Sequence, residues 1–190
     1  MALARNEEKA MSNDRASVLW IMLLTLASTL ATWVLACAAP FAALAALAAM
    51  HMGRRDGVLL MLAVWGVGQA VGFLLLDYPH DPKTLAWAVG LGTAAIASLF
   101  GARAVLARLP WRRNALRLAA GYVAGFVAFK AAVLGWALVL GGAAITLHPG
   151  YSLDQFVRNA GILVALYLLY RTLTALGVPA AGGVRPAHQH

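Results

Sequence analysis

Residues 16–50 read ASVLWIMLLTLASTLATWVLACAAPFAALAALAAM, a run without one charged side chain. As a single helix it would be roughly 50 Å long, against a hydrocarbon layer of roughly 30 Å. Pro40 supplies a break, because proline removes a helix donor, clashes with the preceding turn and pushes the residue before it out of helical geometry. Arg5, Lys9 and Arg15 precede the run and Arg54 and Arg55 follow it, so both flanks belong on the cytoplasmic side. Two cytoplasmic flanks require an even number of crossings. The run is therefore expected to go out near Thr32–Ala36, turn around Cys37–Phe41 and return, which places Cys37 at the outer membrane face. Phe41–Met52 is short for a crossing, so its helix is expected to begin within the turn or to be sheltered by neighbours instead of lipid.

The rest of the chain agrees with this environment. Of its 190 residues, 62% are hydrophobic and 12% charged, and the mean hydropathy is +0.76, values that mark an integral membrane protein. The net charge of +8 is spread over short segments between apolar runs, with no continuous basic face, so nucleic acid is not an expected partner. Further spans are expected at Gly57–Leu76, Leu85–Leu106, Leu118–Gly142 and Gly161–Leu176. The arginine-rich loop RLPWRRN (108–114) then falls inside, and DYPHDPKT (77–84) and TLHPGYSLDQ (146–155) fall outside. The expected fold is all-α: a multi-pass bundle of six transmembrane helices over residues 16–177, between a cytoplasmic tail (1–15) and a flexible one (178–190), both termini cytoplasmic.

Three outer segments converge on this topology: the turn at Cys37, the loop Asp77–Thr84 and the loop His148–Gln155. A pocket there would be lined by Phe41, Trp65, Gln69, Phe73, Asp77, Tyr78, His80, Trp87, Tyr151 and Asn159, whose flat aromatic surface and scattered polar groups suit a large amphipathic ligand. Individually, Trp87 and Tyr151 fit an ordinary interfacial belt equally well, and Gln69 fits a helix-to-helix hydrogen bond. Cys37, the one cysteine, is either a small hydrophobe or the one soft ligand the chain possesses. It can make no internal disulfide, and no CxxC or zinc-ligand spacing occurs. Lys130 lies inside a span with no acidic residue in any span to pair with it, and is read as structural; His51 is read as a span terminus. Alanines at four-residue spacing from Ala39 to Ala49, and Gly121 with Gly125, form close-approach ridges. No Walker A motif, HExxH or Ser/His/Asp constellation is present, so the chain has no ATP-hydrolysing engine of its own.

Six spans, an outer pocket and no ATPase resemble the S-components of energy-coupling-factor (ECF) vitamin transporters. The segment from Trp33 to Trp87, WVLACAAPFAALAALAAMHMGRRDGVLLMLAVWGVGQAVGFLLLDYPHDPKTLAW, resembles more particularly the BtuM family of cobalamin transporters. That resemblance implies vitamin B12 uptake across a bacterial inner membrane, with Cys37 as axial ligand to the corrin cobalt and as the group that promotes loss of cyanide from cyanocobalamin. A metal cation can deprotonate a coordinating thiol outright, so the chemistry is compatible with an apolar site. S-components dock an energising module through an alanine ridge on their first helix. Here the ridge follows Pro40, a departure that bears on any such partner. The alternatives left by the residues are an S-component for another vitamin or transition metal, with Cys37 as packing, and a small membrane scaffold binding a protein through its alanine ridge.

Overall fold

Pro40 opens a helix whose carbonyl accepts from the Leu44 N–H at 3.0 Å. The computed structural model describes residues 16–27, 40–110, 113–176 and 178, all helices and short turns with no strand among them. The helices are α1 (Ala16–Ala27), then α2 (Phe41–His51), α3 (Arg54–Leu75), α4 (Pro82–Arg108), α5 (Asn114–Leu140), α6 (Ala143–Leu147) and α7 (Pro149–Ala175). Four of them, α3, α4, α5 and α7, are long and apolar enough to cross a membrane.

Helix α2 is the core. Phe41 to Ala48 are all buried, the pattern of a helix apolar on every side and enclosed by protein. Its eleven residues rise roughly 16 Å, about half of the hydrocarbon layer. It is thus a half-length helix sheltered by α3, α4, α5 and α7, as its shortness leads one to expect, and it does not by itself make the return crossing that the charge pattern asks for. The alanine ridge is used up in this packing: Ala42, Ala43, Ala45, Ala46 and Ala48 are buried.

Helices α4 and α5 pack closest. A Cβ on Gly101 would stand 2.5 Å from that of Ala128, so the backbones meet where neither side chain extends. Nearby, the buried Ser98 hydroxyl donates to the Gly125 carbonyl at 2.9 Å, which satisfies its polarity inside the bundle. Trp136 Nε1 donates to Thr93 Oγ1 at 2.8 Å. Helix α3 joins α4 through Trp65, whose Nε1 donates to the Ala88 carbonyl at 2.8 Å.

The far end of α2 is held by a cation. Arg103 of α4 donates through Nη2 to the carbonyls of Met52 and Gly53, each at 2.8 Å, and lies 3.4 Å from that of Ala48. The last carbonyls of a helix lack intrahelical donors and carry its negative dipole end, so a guanidinium there meets both needs.

The long helices begin several residues earlier than hydropathy suggests. Arg54, Arg55 and Asp56 form the first turn of α3, since helix propensity does not stop where polarity starts. The expected outer loop His148–Gln155 is absent as a loop. Pro149 occupies the first position of α7, where its fixed φ and missing N–H favour helix initiation, and Tyr151, Asp154 and Gln155 are helical.

Candidate functional site

Cys37, and with it the expected turn up to Ala39, lies outside the described residues. The side of that turn that is described lies deep. Pro40 is fully buried, and the Phe41 ring stands 5.8 Å from that of Phe129. Phe129 comes eleven residues before the end of α5 at Leu140, about 16 Å along the helix. Phe41 therefore enters the bundle near mid-depth instead of at its outer face, because α2 is too short to begin higher and still reach Arg103.

At the end of α3 the structure gathers three expected residues. The Phe73 ring lies 6.0 Å from Tyr78 and 5.4 Å from His80. Gly72 makes this possible, since a Cβ there would approach the Tyr78 ring to 2.6 Å. Tyr78 also donates its N–H to the Gly72 carbonyl at 3.1 Å, and Asp77 between them has φ +50°. This is a helix C-terminal closure through a left-handed residue, a conformation that Asp tolerates better than most. Asp77 thus serves the backbone, and its carboxylate is exposed. Gln69 and Trp65 occupy the same face of α3, one and two turns below Phe73 respectively. Gln69 is half-buried and makes no hydrogen bond among the described residues.

The other expected lining residues separate from this cluster. Trp87 on α4 faces the turn at Gly142, where an added Cβ would stand 3.9 Å from Cζ2. Tyr151 is 65% exposed and packs edge-on against His148 at 5.2 Å. Asn159 is buried, but its Nδ2 donates to the Gln155 carbonyl of its own helix at 3.0 Å. Sequence reasoning missed Arg103, whose one outward signal is a cation near the end of an apolar helix.

Asp81 caps α4. Its carboxylate accepts from the Thr84 hydroxyl at 2.7 Å and from the N–H groups of Thr84 and Lys83 at 3.0 and 2.9 Å. These bonds, the Thr84 hydroxyl foremost, hold its pKa below the ordinary carboxylate value. At the opposite end of the bundle, His51 closes α2 as expected of a terminus, its ring 4.4 Å from Tyr170. A cavity of about 10 Å³ lies there, lined by Leu24, Leu47, His51, Met52 and Tyr170, room for one water and no more. Lys130 is half-buried and makes no ion pair among the described residues. No group of three or more His, Cys, Asp or Glu that could hold a metal ion occurs among the described residues.

Comparison with models of known protein families, with curated proteins and with solved structures finds no match for this chain.

Proposed function

We propose that the protein binds cobalamin within a bacterial inner membrane as an uptake component, with Cys37 as the axial ligand of the corrin cobalt. The observation that supports this reading is the half-length helix α2, whose start at Pro40, three residues after Cys37 in the sequence, is fully buried inside the bundle. Three residues of chain span at most about 11 Å, so Cys37 is tethered close to that buried start. The aromatic and imidazole surface of Phe73, Tyr78 and His80 suits the flat, amphipathic face of a corrin. Decyanation is a ligand exchange. The sulfur–cobalt bond forms, the cobalt–cyanide bond breaks, cyanide leaves with its electron pair and takes up the thiol proton, and cobalt keeps its oxidation state.

The alanine ridge has consequences for partners. Because Ala42–Ala48 pack against the protein's own helices, an ECF energising module would dock on another surface. The same burial removes the face by which a scaffold would bind a protein through this ridge.

The test is purification of the full chain with cyanocobalamin and measurement of its visible spectrum, repeated with Cys37→Ala. Retained corrin with a cysteine-dependent spectral shift is the expected result. Folded protein without corrin refutes cobalamin binding; an unchanged spectrum in the mutant refutes the ligand assignment.

A further inference from the structure

The end of the α4–α5 hairpin carries a cluster of cations that the cobalamin reading does not use. Arg108 ends α4, Arg113 caps α5, and Arg117 follows one turn later, its N–H bonded to the Arg113 carbonyl at 3.1 Å. Arg108 and Arg113 are exposed and Arg117 is half-buried. Among the described residues no carboxylate pairs with any of the three. Asp56 accepts from the Ser17 hydroxyl at 2.8 Å, Asp154 pairs with Arg158 at 2.9 Å, and Asp77 and Asp81 lie at the other end of α4.

Two further features make the cluster more than a topology signal. The Nε of Arg117 is buried with no acceptor among the described residues, and a desolvated charged donor without a partner is costly. The first turn of α5 holds no acidic residue and no side-chain cap, so Arg113 and Arg117 sit at the positive end of a helix dipole, where cations are disfavoured. An anion placed among them relieves both conditions. Its depth identifies its source: α4 and α5, at 27 residues each, are about 40 Å long, which matches the bilayer including its headgroups. The three guanidiniums therefore stand at the level of lipid phosphates.

We propose that Arg108, Arg113 and Arg117 bind the phosphate of an acidic phospholipid at the α4–α5 turn. The fork of each guanidinium suits bidentate phosphate contact, and a cluster of basic side chains at the membrane surface is a pattern of acidic headgroup recognition. The full chain is extracted from vesicles of phosphatidylglycerol and phosphatidylcholine in equal parts, and its retained lipid is read by native mass spectrometry. The wild type retains phosphatidylglycerol in excess. Its preference falls about fivefold for each arginine replaced in the series to R108Q/R113Q/R117Q, while R108K/R113K/R117K keeps a preference and R54Q/R55Q leaves it unchanged. No preference in the wild type overturns the proposal, as does equal loss in R54Q/R55Q. Loss in the lysine triple assigns the effect to the fold and overturns it too. Displacement by millimolar inorganic phosphate would mark a free-anion site and likewise refute lipid binding.

Discussion

Replacing Arg103 by Met keeps the length and apolar stem of the side chain and removes its charge. The Nη2 atom carries two protons, and its two 2.8 Å bonds to Met52 and Gly53 use both; the Ala48 contact at 3.4 Å shares one of them. A hydrogen bond from a charged donor contributes about 1.5–3 kcal/mol. The Gly53 bond is exposed and belongs at the low end or below. A cation at a partly buried helix C-terminus adds up to about 2 kcal/mol. Against these stands the desolvated Nε, buried without an acceptor among the described residues, whose cost of about 1–3 kcal/mol disappears with the guanidinium. The net loss is therefore about 3 kcal/mol, which for a chain of this size lowers the unfolding midpoint by about 6–12 °C. The assay is thermal unfolding of the full chain in detergent, scanned at one fixed rate, because such transitions are often irreversible. Arg103→Lys retains the charge but not the fork and is expected to fall between wild type and Arg103→Met. A midpoint for Arg103→Met within 2 °C of wild type would refute the idea that this cation anchors α2.

Gly101→Val forces α4 and α5 apart, since even a Cβ would stand 2.5 Å from that of Ala128; overpacking of this kind costs about 1–3 kcal/mol, read as a midpoint several degrees lower, and an unchanged midpoint would count against the close approach. Asp77→Gly relieves the φ of +50° and is expected to raise the midpoint slightly, whereas Asp77→Val, β-branched in a left-handed position, costs about 1–2 kcal/mol and lowers the midpoint by a few degrees. The Asp81 cap is pH-dependent: its folded pKa lies below the ordinary value of 3.8, so its stabilisation is complete above that value and is lost as pH falls through the folded pKa. Amide exchange in the first turn of α4 should accelerate in that acid range for wild type but not for Asp81→Asn, which caps without titrating.

Much of the bundle is legible in the sequence. The long apolar runs locate α3, α4, α5 and the second half of α7 because a lipid-facing helix must be apolar over its length. Pro40 marks a true helix start for the reason that any interior proline does. The shortness of the element it opens is legible too: Phe41–Met52 is too short for a crossing, so shelter by neighbours instead of lipid is expected, and the helix runs Phe41–His51 with Phe41–Ala48 buried. Its depth is not legible, because Phe41–Ala48 is equally apolar at the outer face and at mid-bundle. Arg103 escaped notice because carbonyl oxygens at a helix end leave no motif in side-chain identity. His148–Gln155 reads as a loop by polarity, yet Pro149 starts a helix there.

The candidate site follows the same division. Spacing along α3 put Trp65, Gln69 and Phe73 on one face, and the Gly72 notch brings Tyr78 and His80 onto it. The two carboxylates beside them turned out to serve backbone closure, Asp77 through its φ and Asp81 through its cap, because short acidic side chains at helix ends meet an obligation that every helix has before any ligand is considered. What remains for chemistry is an aromatic and imidazole surface at one level and a buried helix start at a lower one. A ligand that reached both would have to be long enough to pass from the end of α3 to Pro40, which favours a large amphipathic molecule over a bare metal ion. On the cobalamin proposal, that separation would make the position of α2 matter for binding, since a shift at the Arg103 anchor moves Pro40 along the same axis.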